Sequence, residues 1–121
     1  MKVANKTAKT GEDKACRYLQ KQGYKIIERN FRVGYGEIDI VAVYQNCLIF
    51  VEVKTRTSDK FGTPFEAITY FKLKSLTRTA QLYKKLNPNL PDALRIDAIS
   101  VKLSHNDNVE SIEHIKNISG F

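Results

Sequence analysis

The order of periodic segments predicts an α/β fold, two helical layers around a mixed sheet, in the sequence helix, three strands, helix, then one or two strands. Three observations carry this reading. An amphipathic repeat near the N-terminus gives way to β-prone runs. Two of those runs, EIDIVAV (37–43) and CLIFVEV (47–53), are separated only by a short polar turn. Helical spacing then returns abruptly at TPFE (63–66), before a last β-prone run, ALRIDAISVKL (93–103).

The first helix is expected from about Thr10, which can cap it. Glu12 and Asp13 suit its positive end, and Ala15, Cys16 and Leu19 form one apolar stripe. Gly23 stands where a left-handed terminating residue belongs. YKIIERNF (24–31) reads as a strand, followed by a turn around Gly34 and Gly36. The next two strands form an antiparallel hairpin turned at Tyr44–Asn46. TRTSDKFGT (55–63) is polar and reads as a loop. Thr63 as N-cap, Pro64 at the first helical position and Glu66 completing a capping box then start a long helix. Phe65, Ile68, Leu76, Ala80 and Tyr83 carry its spacing to about Leu86, where NPNLPD stops it. A strand over 93–103 and a weaker one over 109–116 complete the chain.

A chain of 121 residues suits one domain, assigned to 10–121 behind a flexible basic arm, 1–9. Its 42% hydrophobic content is ordinary for a globular protein, and no run approaches the ~18 apolar residues of a membrane span. The lysine-rich start lacks an apolar signal region, so a cytoplasmic location is expected. Cys16 and Cys47 form no CxxC and no cluster with histidine, which argues for small buried hydrophobes rather than a zinc site. A net charge of +7 favours polyanionic partners, although basic balance also serves solubility alone.

The sharpest feature is GEIDIVAVYQNCLIFVEVKTR (36–56), an apolar hairpin carrying Glu37, Asp39, Glu52 and Lys54. Alternation puts Glu37, Asp39, Val41 and Val43 on one face, and Leu48, Phe50, Glu52 and Lys54 on one face of the next strand. Opposed residues in a tight hairpin sum to 90 or 91, which brings Asp39 to the neighbourhood of Glu52. Two neighbouring buried carboxylates repel unless a cation neutralises them. Mg²⁺ accepts such a sparse set, completed by water and substrate phosphate, and would assist phosphodiester hydrolysis there. A structural salt bridge on a solvated strand end is the simpler alternative.

GEIDIVA, FVEVKTR, FGTPFEAI with Lys72 downstream, and RIDAISV closely resemble the YraN-like family of small bacterial proteins. TGEDKACRYLQKQGY followed by RNFR matches the same family's opening. That family is similar to the restriction-endonuclease-like superfamily and to archaeal Holliday-junction resolvases. The resemblance implies an αβββαβ core and a D…(D/E)xK nuclease motif that binds Mg²⁺ or Mn²⁺. Carried over by residue, Asp39 and Glu52 are metal carboxylates, Lys54 is the motif lysine and Glu12 is the helical glutamate that joins the site. Glu37 lies in the GEID motif without an assigned role. The implied partner is DNA, branched or otherwise structured, and cutting a junction symmetrically implies a homodimer.

Lys72, Lys74 and Arg78 fall on or near one side of the long helix and could meet DNA phosphates, or form its solvated face. Arg56 could contact the scissile phosphate or pair with Asp59. Phe31, Tyr35 and Phe61 could stack on a base or pack on the hairpin. Arg95 and Asp97 are expected to pair with neighbours, and His105 and His114 support no catalytic role. The leading reading is a metal-dependent DNA endonuclease. Its rivals are a DNA-binding or scaffolding protein with a vestigial site, and an interaction domain unrelated to nucleic acid.

Overall fold

The computed structural model describes residues 6–57 and 68–121. Its elements are α1 (Lys6–Lys21), β1 (Lys25–Val33), β2 (Gly36–Tyr44), β3 (Cys47–Arg56), α2 (Tyr70–Leu86), β4 (Ala93–Leu103) and β5 (Val109–Ile115). The five strands form one sheet in the order β1-β2-β3-β4-β5. β3 and β4 run parallel, and the other neighbours are antiparallel. The α/β fold and the αβββαβ order therefore agree with the sequence.

A sheet in the middle of two layers must be apolar on both faces, and β3 alternates accordingly. Ile49 and Val51 join Ala15, Cys16 and Leu19 of α1, with Ile99, Val101 and Leu103 of β4. Leu48 and Phe50 join Leu76, Ala80 and Tyr83 of α2, with Ile96. The helices thus cover opposite faces. Phe31 and Phe50 both meet the Tyr83 ring edge-on, at 4.9 and 5.8 Å between centroids.

Turn chemistry sets the ends of these elements. Gly23 has φ +94°; its N–H donates to Gln20 and that of Tyr24 donates to Leu19, which closes α1 with left-handed backbone that glycine adopts freely. Gln45 and Asn46 both have positive φ, as a two-residue type I′ hairpin turn requires. Tyr44 pairs with Cys47, so opposed residues sum to 91 as expected.

The structure departs from the sequence reading at both helix starts. α1 begins at Lys6, so Thr10 lies inside the helix and residues 6–9 belong to it rather than to an arm. α2 begins at Tyr70; Ile68 and Thr69 precede it. Thr69 is the cap, its hydroxyl accepting from Lys72 N–H at 3.1 Å. The capping box at Thr63–Glu66 lies outside the described residues, as do Phe61, Asp59 and the first five residues. No helix among the described residues is long and apolar enough to cross a membrane.

Candidate functional site

Strict alternation fails in β2, and that failure builds the site. Ile38 and Val41 pack on the α2 side, whereas Ile40 and Ala42 pack on the α1 side. The switch falls at Asp39, between Ile38 and Ile40. Across the strand pair, Asn30 adopts φ +55° between the matched residues Arg29↔Ile40 and Phe31↔Ile38. The β2–β3 ladder ends at Ile40↔Val51, while β3 continues beside β4 to Arg56. Val53 N–H thereby loses a ladder acceptor on the β2 side, and Asp39 Oδ2 accepts from it at 2.8 Å.

Glu52 lies on the same β3 face as Phe50 and is 3% exposed. Its Oε2 atom is buried and makes no hydrogen bond among the described residues. Two ammonium groups face it instead: Lys72 Nζ at 3.2 Å and Lys54 Nζ at 3.9 Å. Burial, then the adjacent Glu52 carboxylate, push the Asp39 carboxyl up to about 8, against the favourable Val53 N–H. Asp39 is therefore held toward its neutral form near neutral pH. A buried carboxylate oxygen without a hydrogen bond, beside a carboxyl that resists ionisation, is a donor set suited to a divalent cation. Mg²⁺ needs only one or two protein carboxylates, so the residues fit.

Lys72, a candidate phosphate contact, is turned toward Glu52. A lysine in the first turn of a helix opposes the helix dipole, and no acidic residue occupies that turn. Glu52 supplies the compensating charge. Lys74 and Arg78 point to solvent, and Arg78 lies 4.3 Å above the Tyr35 ring. Half-buried Arg56 ends β3 on the same side as Glu52 and Lys54.

Glu12 is beside the site without completing it. Helix α1 reaches β3 closely at Gly11, where a Cβ would overlap the Thr55 side chain. Burial raises the Glu12 carboxyl, opposed by Arg29 and reinforced by Glu37 and Asp13. Arg29 stands 3.8 Å from Glu12 and 2.9 Å from Asp13. Among the described residues, no group of three or more His, Cys, Asp or Glu is placed to hold a metal. Glu37 has a simpler occupation, a 3.2 Å ion pair with its cross-strand neighbour Arg32.

The expected pairing of Arg95 with Asp97 is observed, within a larger polar cluster that the sequence does not show. Fully buried Asp97 receives Arg95 at 2.8 and 2.9 Å, the Asn117 N–H at 2.9 Å and His114 Nε2 at 2.7 Å. Tyr18 meets the other ring nitrogen of His114 at 3.1 Å, and Arg95 also donates to the Tyr24 hydroxyl. Burial alone would raise Asp97; His114, Arg95 and the Asn117 N–H outweigh it and hold the carboxyl below its usual range. The Arg95/Asp97 alternation was the signal. The histidine partner comes from a neighbouring strand and carries none.

The fold and site define a small basic α/β domain with a buried carboxylate pair and two lysines at the splayed end of a hairpin. The chain belongs to the uncharacterised protein family UPF0102, which matches residues 11–101, and the YraN-like resemblance is thereby borne out. A UPF0102 protein of Syntrophomonas wolfei is 44% identical over 107 residues, covering 88% of this chain and 91% of that one. Another, from Caldanaerobacter subterraneus, is 42% identical over 120 residues, covering 97% and 98%. Among solved structures, a repair endonuclease from Pyrococcus abyssi is similar with TM-score 0.48 and 13% identity, over 88% of this chain and 42% of that one. An EndoMS–dsDNA complex is similar with TM-score 0.44 and 12% identity, over 79% and 36%.

Proposed function

We propose that this protein is a metal-dependent endonuclease that hydrolyses DNA phosphodiesters, with Asp39 and Glu52 as the cation's carboxylates. One observation carries the reading. Two carboxylates are buried together, and Asp39 is pushed up to about 8 by that burial and by Glu52. Leaving such a pair in an apolar hairpin costs stability, and a cation with a phosphate removes the cost.

Mg²⁺ or Mn²⁺ held there would polarise the phosphodiester and ease deprotonation of the attacking water. The chain's own residues do the rest. Asp39 would hold the cation as its carboxylate, so binding would weaken as pH falls. Lys54, on the strand that carries Glu52, orients the water and offsets charge on the phosphate. Lys72 shares the neutralisation of Glu52 and would be available to the phosphate if a cation took over that role. Arg56 is placed to follow the strand backbone, with Lys74 and Arg78 further out. Glu12 enters the site only if Arg29 releases it. The substrate class that suits the motif is branched or structured DNA, cut by a homodimer.

The test is incubation of the protein with labelled duplex, single-stranded and four-way-junction DNA in Mg²⁺, Mn²⁺ or EDTA, beside Asp39→Ala and Glu52→Ala. Metal-dependent cuts should appear with the wild type and disappear with either variant while the fold persists. Cleavage surviving both substitutions sinks the assignment.

A second reading rests on Lys72. Its ammonium 3.2 Å from Glu52 partly does a cation's electrostatic work, as a binding protein with a vestigial site would require. Salt-sensitive DNA binding without turnover in any metal would favour it.

A further inference from the structure

The outer face of α2 is not explained by the fold. The helix uses Leu73, Leu76, Ala80 and Tyr83 against the sheet. Tyr70 and Phe71 lie off that stripe, 71% and 78% exposed, with their rings edge-to-face at 5.5 Å. Isolated exposed apolar residues are ordinary. Two adjacent aromatics ahead of Lys72, which reaches Glu52 at 3.2 Å, place an apolar surface within a turn of the carboxylate pair.

Cations continue the surface. Phe71, Lys74 and Arg78 occupy positions i, i+3 and i+7, which share one helix face. The Arg78 guanidinium lies 4.3 Å over the Tyr35 ring, and Ser75 Oγ donates to Tyr35 O at 2.8 Å, which ties the β1–β2 turn to the helix. From Phe71 to Arg78 the helix rises about 10 Å, or roughly three steps of a stacked strand. An aromatic, an ammonium and a flat guanidinium at that spacing complement bases and phosphates of a single strand. An apolar protein partner would not be matched by the two cations.

We propose that this face is a platform for unpaired nucleotides, on which Tyr70 and Phe71 stack bases while Lys74 and Arg78 take the flanking phosphates. The inference rests on the DNA reading above and deepens it. DNA that presents unstacked bases beside the scissile phosphate is then the preferred substrate, and an uninterrupted duplex is not.

The chain contains no tryptophan, so Phe71→Trp makes a unique reporter. With EDTA present, cleavage plays no part in the signal. Single-stranded and forked oligonucleotides should quench its emission, and a blunt duplex should not. Phe71→Leu should weaken single-strand binding on the order of tenfold with duplex affinity unchanged. Lys74→Ala should instead flatten the salt dependence. Binding detected by anisotropy without quenching overturns the proposal, as does unaltered affinity in Phe71→Leu. Emission already blue-shifted in a DNA-free dimer also overturns it, because a second copy then covers the pair. Quenching without metal-dependent cleavage would retain the platform and remove only the nuclease.

Discussion

Replacing Asp39 with asparagine should make the protein more stable and inactive. The new side chain keeps a carbonyl oxygen for the Val53 N–H, now at 2.8 Å from Asp39 Oδ2, so the substitution removes charge with little change in hydrogen bonding. Asp39 is raised to about 8 by burial and by Glu52. In the unfolded chain an aspartate titrates near ~3.9. A carboxyl raised on folding favours the folded state fully below the unfolded value, and that contribution is lost as pH climbs toward the folded value. At about 1.4 kcal/mol per pH unit, the loss by pH 7 is at most about 4 kcal/mol. Relaxation around the buried carboxyl lowers this ceiling, and about 2 kcal/mol is the expected size. Urea unfolding of both proteins from pH 4 to 8 measures the difference. It should be near zero at pH 4, grow with pH and flatten above 8. Added Mg²⁺ should stabilise the wild type by mass action and leave Asp39→Asn unmoved. A difference independent of pH, or a less stable Asp39→Asn at pH 7, would refute the reasoning.

Asp97→Asn should act in the opposite sense. It leaves Arg95 and His114 without their buried charge partner and should cost about 3–5 kcal/mol at pH 7, read by chemical denaturation. Since Asp97 is held below its usual range, its contribution is present above the unfolded value and lost as pH falls through the folded one. The gap between wild type and Asp97→Asn should therefore close in acid. Gly11→Ala would gain about 1 kcal/mol in an isolated helix, yet its Cβ would overlap the Thr55 side chain, so a net loss of about 1–3 kcal/mol is expected in thermal unfolding. Thr55→Ala should recover much of it, and the double-mutant cycle reports the contact directly.

What the sequence disclosed was whatever is local. The hairpin register followed from a two-residue turn and alternation, and β4 came out with its observed bounds, Ala93–Leu103. Both depend on residues within a strand's length of one another. Helix starts did worse: Thr63 offered a capping box, whereas Thr69, the observed cap of α2, lacks an acidic partner three residues on; Lys72 stands there instead.

Helical phase, set by the stripe of Leu76, Ala80 and Tyr83 whatever the helix start, divides the basic residues of α2. Lys72, four residues before Leu76, turns to Glu52, and Phe71, Lys74 and Arg78 turn to solvent. Of the three basic residues, one thus faces the carboxylate pair and two face outward. Asp39 illustrates the same limit. Its meeting with Glu52 was legible because opposed positions sum to 91, but its angle was not. A positive φ at Asn30 on β1 and a ladder that stops at Ile40↔Val51 accompany a carboxylate that accepts from Val53 N–H. Asparagine tolerates such backbone better than most residues, but the end of the ladder has no residue-type signature. Spacing can bring two carboxylates together; only the irregular backbone decides that one of them meets the Val53 N–H while both stay buried.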